Sequence, residues 1–99
     1  MSYGYLASMK AKPGRRDEVV AILLSGVAGL RDAGCDLYIV AVSGDDKVTI
    51  FVSEVWPSKE QHDAALQLPA AKEAIGMAMP MLTGEFTGQE TTVVGGLGL

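Results

Sequence analysis

A ferredoxin-like α+β fold, the split β-α-β arrangement with one antiparallel sheet and its helices on one face, is what this sequence predicts. Three observations carry that expectation. Four segments have strand character, shown most clearly by the two-residue period from Val48 to Trp56. Two others place apolar residues at helical spacing. The six follow one another as β-α-β-β-α-β across 99 residues, with no repeat and no linker between them. A single domain spanning residues 1–99 is long enough to bury a core without a metal or a disulfide.

The elements follow in order. Tyr3 to Ala11 mixes aromatics, Leu and Met with small residues and reads as the first strand, and Lys12-Pro13-Gly14 turns out of it. From Arg15 to Ala33 the positions Val20, Leu23, Leu24, Val27 and Leu30 recur at helical spacing. Asp17 and Glu18 in the first turn and Arg31 in the last suit the helix dipole, and Gly34 is a natural left-handed terminator. Gly26 and Gly29 each cost this helix about 1 kcal/mol relative to Ala. One or both are expected to let it lie close on the sheet. Cys35 to Val42 is the second strand, and Ser43 to Lys47 turns it into the third, Val48 to Trp56. Pro57 ends that ladder because it has no amide proton to donate. Ser58 then caps a new helix, with Gln61 completing a capping box. Pro69 interrupts this helix, Ala70 to Met79 resumes it, and Glu85 to Val94 is the last strand.

Strand two sets Leu37, Ile39 and Ala41 against Tyr38, Val40 and Val42, so it is apolar on both faces. Strand three sets Val48, Ile50 and Val52 opposite Phe51 and Val55. Strands apolar on both faces need cover on both. With the helices on one side, the other cover is expected to be a second copy of the chain. The result is an isologous homodimer packed through the open sheet face, with a cavity between sheet and helices in each subunit.

Composition bounds the function. Hydrophobic residues make up 48% and charged residues 20% of the chain, an ordinary globular balance. Eight Lys and Arg against twelve Asp and Glu give a net charge of −4, which argues against nucleic acid as a partner. Apolar runs such as Val19 to Leu24 fall far short of the ~20 residues of a membrane span. The N-terminus lacks the basic start and apolar block of a signal peptide. No membrane association and a cytoplasmic location are therefore expected. Cys35 is the sole cysteine, so no disulfide within the chain exists, and a buried, inert thiol is expected.

The residues able to carry chemistry are few. Trp56 is either a binding-site ring whose indole N–H fixes a ligand oxygen or a core aromatic at a strand end. His62, the sole histidine, lies in the first turns of its helix. The dipole there disfavours the imidazolium, leaving a neutral ring able to act as base or donor, or simply a half-exposed helix residue. Tyr3, Tyr5 and Tyr38 are phenols on strands. Met77, Met79 and Met81 form a flexible apolar patch near the second helix, suited to a flat ligand or to core filling. One His and one Cys cannot furnish a zinc site, so no metal is expected. No phosphate-binding glycine motif, P-loop or nucleophile elbow is present, and no nucleotide cofactor is expected.

Four segments in this order and spacing, Ala11-Lys12-Pro13-Gly14, Gly34-Cys35-Asp36-Leu37-Tyr38, Glu54 to Glu60 (EVWPSKE) and Pro80 to Gly84 (PMLTG), resemble the antibiotic biosynthesis monooxygenase domain family. The resemblance covers nearly the whole chain. It is nearest to a branch described as quinol monooxygenases, in which His62, Leu66 to Pro69 and the final Gly95-Gly96-x-Gly98-Leu99 also have counterparts. It implies a dimeric ferredoxin-like fold and oxidation of quinol- or anthrone-like aromatics by O2 without a cofactor. The deprotonated substrate reduces oxygen itself while the protein supplies a dry pocket and hydrogen bonds to the anion.

Carried over residue by residue, the resemblance places the Trp of the polyketide-oxidising members at Trp56, their Tyr at His62 and their Asn at Val52. Their helical Arg has no counterpart after Arg31. It makes His62 and Trp56 the expected catalytic residues, with Tyr38, Val52, Ala65, Met77 and Met79 around the substrate. Haem-degrading members carry an Asn at the position of Ala7, a Trp at Ala65 and a His near Ile75, and this chain contains no Asn at all. Haem degradation is accordingly not expected. A non-catalytic small-molecule-binding domain on the same scaffold, or an isomerase of small phosphorylated sugars, are the alternative expectations. Lys72 is the one basic residue beyond Lys59 that could serve the isomerase.

Overall fold

The computed structural model describes residues 2–99. In chain order the elements are β1 (Ser2–Ala11), α1 (Arg16–Ser25), α2 (Val27–Asp32), β2 (Leu37–Val42), β3 (Thr49–Trp56), α3 (Lys59–Leu66), α4 (Pro69–Ala78), a 3-10 turn (Met79–Met81) and β4 (Leu82–Val93). The strands form one sheet in the order β2-β3-β1-β4, and every neighbouring pair is antiparallel. That is the ferredoxin-like α+β arrangement expected from the order of elements.

Register decides which side chains meet. Residues directly opposite in an antiparallel pair share a face. Val40, Val52 and Ala7 form one row across β2, β3 and β1, and Gly88 extends it to β4. The next row is Tyr38, Glu54, Tyr5 and Glu90, and beyond it Trp56, Tyr3 and Thr92 line up. This is the face the helices cover. Its core joins Val19 of α1, Ile50 and Val52 of β3, Ala78 of α4, Met81 of the 3-10 turn and Leu82 of β4.

The expected helix from Arg15 to Ala33 is in fact two, broken at Gly26. The Gly26 amide bonds back to the Leu23 carbonyl at 3.4 Å, three residues away instead of four, so the ladder tightens and restarts as α2. Nor do the glycines press the helix onto the sheet. A Cβ on Gly29 would meet no atom within 4 Å, and one on Gly26 only the Leu23 carbonyl. The second strand starts at Leu37, two residues later than read from the sequence, because α2 closes with a Schellman turn that takes up the preceding residues. Gly34 takes a φ of +105°. Its amide bonds to Arg31 and that of Cys35 to Leu30, both at 3.0 Å.

Ser58 caps α3 as expected, its Oγ accepting the Gln61 amide at 3.2 Å. The return half of the box is not made, since the Gln61 side-chain oxygen sits 3.5 Å from Ser58 Oγ instead. Pro69 occupies the first turn of α4, where its missing amide proton costs nothing. On the uncovered face Leu6, Ile39 and Phe51 are 51%, 50% and 47% exposed. Among the described residues no helix is long and apolar enough to cross a membrane.

Candidate functional site

Between sheet and helices lies a cavity of about 250 Å³. Its floor is Ala7 and Met9 of β1, Tyr38 of β2, and Val52 and Glu54 of β3. Its roof is built from short side chains or none: Gly26 and Gly29 at the α1–α2 junction, Ala65 of α3, and Ala71 and Ala74 of α4. Small residues on three helices leave the space that longer ones would fill. Leu23, Leu30, Leu66, Leu68 and Ile75 complete an apolar rim.

Glu54 and Tyr38 alone bring side-chain polarity to this lining, and Glu54 alone brings charge. They stand directly opposite each other on β3 and β2. Glu54 Oε1 accepts the Trp56 indole N–H at 3.0 Å, and Trp56, two residues on along the same face, is fully buried. The Tyr38 phenol is pushed up to about 12, first by burial and then by the negative charge of Glu54, so it stays a neutral donor.

On the other side of Trp56 is a more open recess of about 450 Å³, formed by Tyr3, Tyr5, Lys59, His62, Asp63, Gly88, Gln89 and Glu90. His62 is only 7% exposed. Its ring lies 5.2 Å from that of Tyr3, 5.3 Å from Tyr5, and edge-on to Trp56 at 5.9 Å. Its Nδ1 pairs with Asp63 Oδ1 at 2.9 Å, and this hydrogen bond holds the Asp63 carboxyl below its usual range. Glu90 Oε2 accepts both the Lys59 ammonium at 2.6 Å and the Tyr3 hydroxyl at 2.9 Å. The Lys59 bond lowers the Glu90 carboxyl and raises the lysine in return. Tyr3 is pushed up to about 12 by desolvation and by its bond to Glu90. Gly88 matters here because a Cβ would collide with the Tyr5 hydroxyl, whose ring lies across the strand at that point.

Of the residues expected around a substrate, Tyr38, Val52 and Ala65 line the cavity. Trp56 and His62 do not. Trp56 stands behind Glu54, and His62 faces the recess. Met77 and Met79 are 57% and 48% exposed and lie off the cavity wall. The helical phase that turns Ala71, Ala74 and Ala78 inward carries Met77 to the flank, and Met79 begins the 3-10 turn. Met81, grouped with them in the sequence, belongs instead to the core. Glu54 was missed, although a carboxylate in phase with Ile50, Val52 and Trp56 on a strand was a readable signal. Cys35 is half-buried, its thiol donating to the Leu37 carbonyl at 3.2 Å and pushed up by burial, in keeping with an inert thiol. Among the described residues no three His, Cys, Asp or Glu side chains converge as metal ligands.

A four-stranded antiparallel sheet with helices on one face and a cavity between the layers defines a ferredoxin-like α+β domain. The family model for antibiotic biosynthesis monooxygenase matches residues 2–76, three-quarters of the chain, and the chain belongs to that family. A crystal structure from Chloroflexus aurantiacus, described as a candidate antibiotic biosynthesis monooxygenase, shares 39% identity with this chain. It superposes with a TM-score of 0.86 over 97% of this chain and 96% of its own. One from Caulobacter crescentus, described in the same way, is 20% identical with a TM-score of 0.87, covering 95% and 91%. A third, from Nitrosomonas europaea, reaches 0.87 at 8% identity over 94% and 90%, a likeness of fold alone. No curated protein matches the chain.

Proposed function

We propose that this protein is a cofactor-independent monooxygenase that oxidises small quinol-like aromatics with O2 in the cavity between sheet and helices. The observation that carries this reading is the cavity itself, an apolar chamber in the family's fold whose polarity is confined to one carboxylate and one phenol at the same end. An ionised quinol is electron-rich enough to reduce oxygen. What it needs from a protein is exclusion of water and hydrogen bonds at the ring oxygens. At about 250 Å³ the chamber is smaller than the ~300–1,000 Å³ typical of sites for drug-sized ligands, which favours one- or two-ring quinols over three-ring anthrones. Val52 and Ala65 form apolar wall, and Tyr38 donates to a ring oxygen. Trp56 and His62 support the polar end from behind, Trp56 through the carboxylate it holds and His62 through its edge contact with Trp56.

Val52 in place of the Asn of polyketide-oxidising relatives favours a second reading, a domain that binds such aromatics without oxidising them. An isomerase of phosphorylated sugars fits less well, because the cavity offers a carboxylate where a phosphate wants cations. Oxygen uptake by the purified protein with naphthoquinols and anthrones, against their uncatalysed autoxidation, decides between the first two. Uptake well above background supports the monooxygenase. Quenching of Trp56, the sole tryptophan, without uptake supports the binder.

We further propose that a second copy covers the open face, where Leu6, Ile39 and Phe51 stand about half exposed. Light scattering should return twice the chain mass for the native protein and a monomer for Phe51→Glu. A monomeric native protein overturns this arrangement.

A further inference from the structure

We propose that Glu54 is the catalytic base of the cavity, taking the hydroxyl proton of the bound quinol, and that Trp56 is the positioning residue that aims it. The assignment rests on the reading of the cavity as a quinol site. Three observations carry it. Glu54 is the one charged residue in the lining of an otherwise apolar chamber. Glu54 is half-buried there, reaching the chamber from the sheet. Only one of its oxygens is engaged: Oε1 accepts the Trp56 N–H at 3.0 Å, while Oε2 has no hydrogen-bond partner among the described residues. Finally, Tyr38 directly across the strand pair supplies a neutral phenol to the same part of the lining, so acceptor and donor stand side by side.

The proton transfer balances without any other group. A ring hydroxyl donates to Oε2. Its O–H bond breaks, the electron pair stays on the ring oxygen, and the proton forms a new O–H bond on Glu54. The cavity carries one negative charge before and one after, so the transfer adds no new charge to it. The carboxyl so formed donates back to the quinolate, and Trp56 keeps its hold on Oε1. A neutral histidine taking the same proton would create a separated ion pair in apolar surroundings, at a considerable desolvation cost. His62, moreover, pairs with Asp63 and faces the recess.

Glu54→Gln tests this, because the amide oxygen still accepts from Trp56 while basicity and charge are gone. Glu54→Asp is the second variant, with the carboxylate kept but withdrawn, and circular dichroism confirms the fold of each. The probe is 4-nitrophenol, whose neutral and ionised forms differ in visible absorbance. The native protein should bind the neutral phenol in preference to free phenolate, so that affinity falls as pH rises through the ligand's ionisation, while the bound ligand absorbs as the ionised form because its proton has passed to Glu54. Glu54→Gln should lose or reverse that preference. Equal preference in both proteins, or no binding of either form, overturns the assignment whatever the oxygen chemistry.

With quinol and O2, the native protein's kcat should fall at least ~100-fold in Glu54→Gln and recover in part in Glu54→Asp. Nitrophenol preference that depends on Glu54, in a protein without oxygen uptake, keeps Glu54 as the ligand's proton acceptor and overturns the monooxygenase reading alone. Undiminished turnover in Glu54→Gln overturns the proposal.

Discussion

Two hollows lie to either side of Trp56, the inner one reached through Glu54 and the outer one through His62, and they handle charge in opposite ways. In the outer recess every charge has a counter-charge: Lys59 bridges Asp63 and Glu90, and Tyr3 and His62 add a hydrogen bond to each carboxylate. In the inner cavity a single carboxylate meets an indole, a phenol and hydrocarbon. Paired, solvated charges hold a surface together weakly and do little chemistry. A half-buried carboxylate on the wall of an apolar chamber keeps one oxygen open to whatever enters. The larger and more polar hollow is therefore the lesser candidate for the reaction.

The contrast is broken most forcefully at Trp56, between them. Trp56→Ala removes a fully buried indole and leaves the inner carboxylate without its partner, so a loss of about 3–5 kcal/mol is expected in urea unfolding followed by circular dichroism. A loss below about 1 kcal/mol would mean that Trp56 supports neither hollow. Alkaline pH sharpens the contrast next. Tyr38 and Tyr3 are both raised to about 12 in the folded chain, so above pH 10 the unfolded phenols ionise first and the unfolded state binds fewer protons. Stability should be intact below pH 10 and fall as pH rises toward 12. Tyr38→Phe should remove the larger part, about 2 kcal/mol, because Tyr38 is the more deeply buried phenol.

The smallest effect belongs to the recess. Glu90→Gln should shift the unfolding midpoint only slightly, and the difference should vanish at 1 M salt. Because Glu90 and Asp63 are held below their ordinary values, their contribution is present at neutral pH and lost as acid protonates them in the folded state. A large, salt-insensitive loss at Glu90 would erase the distinction between the hollows.

Much of this was legible in the sequence, for reasons that also explain what was not. Strand period and Pro57 placed β3 and the start of α3, and the order of elements gave the sheet. Tyr38, Val52 and Ala65, expected around a substrate, line one cavity. The break at Gly26 was not read, since a glycine within a helical pattern signals a propensity cost and does not say where the ladder slips. Met77 and Met79 were placed by proximity in sequence, whereas the phase of α4 turns the alanines inward. Glu54 was counted with the alternation of its strand, and its meaning depended on which face the helices would cover. A half-exposed His62 between Gln61 and Asp63 was one of two readings left open, yet it is buried because β1 brings Tyr3 and Tyr5 up to it, a contact between residues nearly sixty positions apart.

The helix break has one more consequence. Gly26 and Gly29 both line the cavity, and a methyl group at Gly29 would touch nothing within 4 Å. Alanine there would recover about 1 kcal/mol of helix propensity without a clash. Drift toward greater stability is therefore open at this position, and each step along it takes volume from the chamber. Homologues that have accepted larger residues there should be hardier proteins with narrower tastes, and a population selected for heat resistance alone would be expected to lose its bulkiest substrates first.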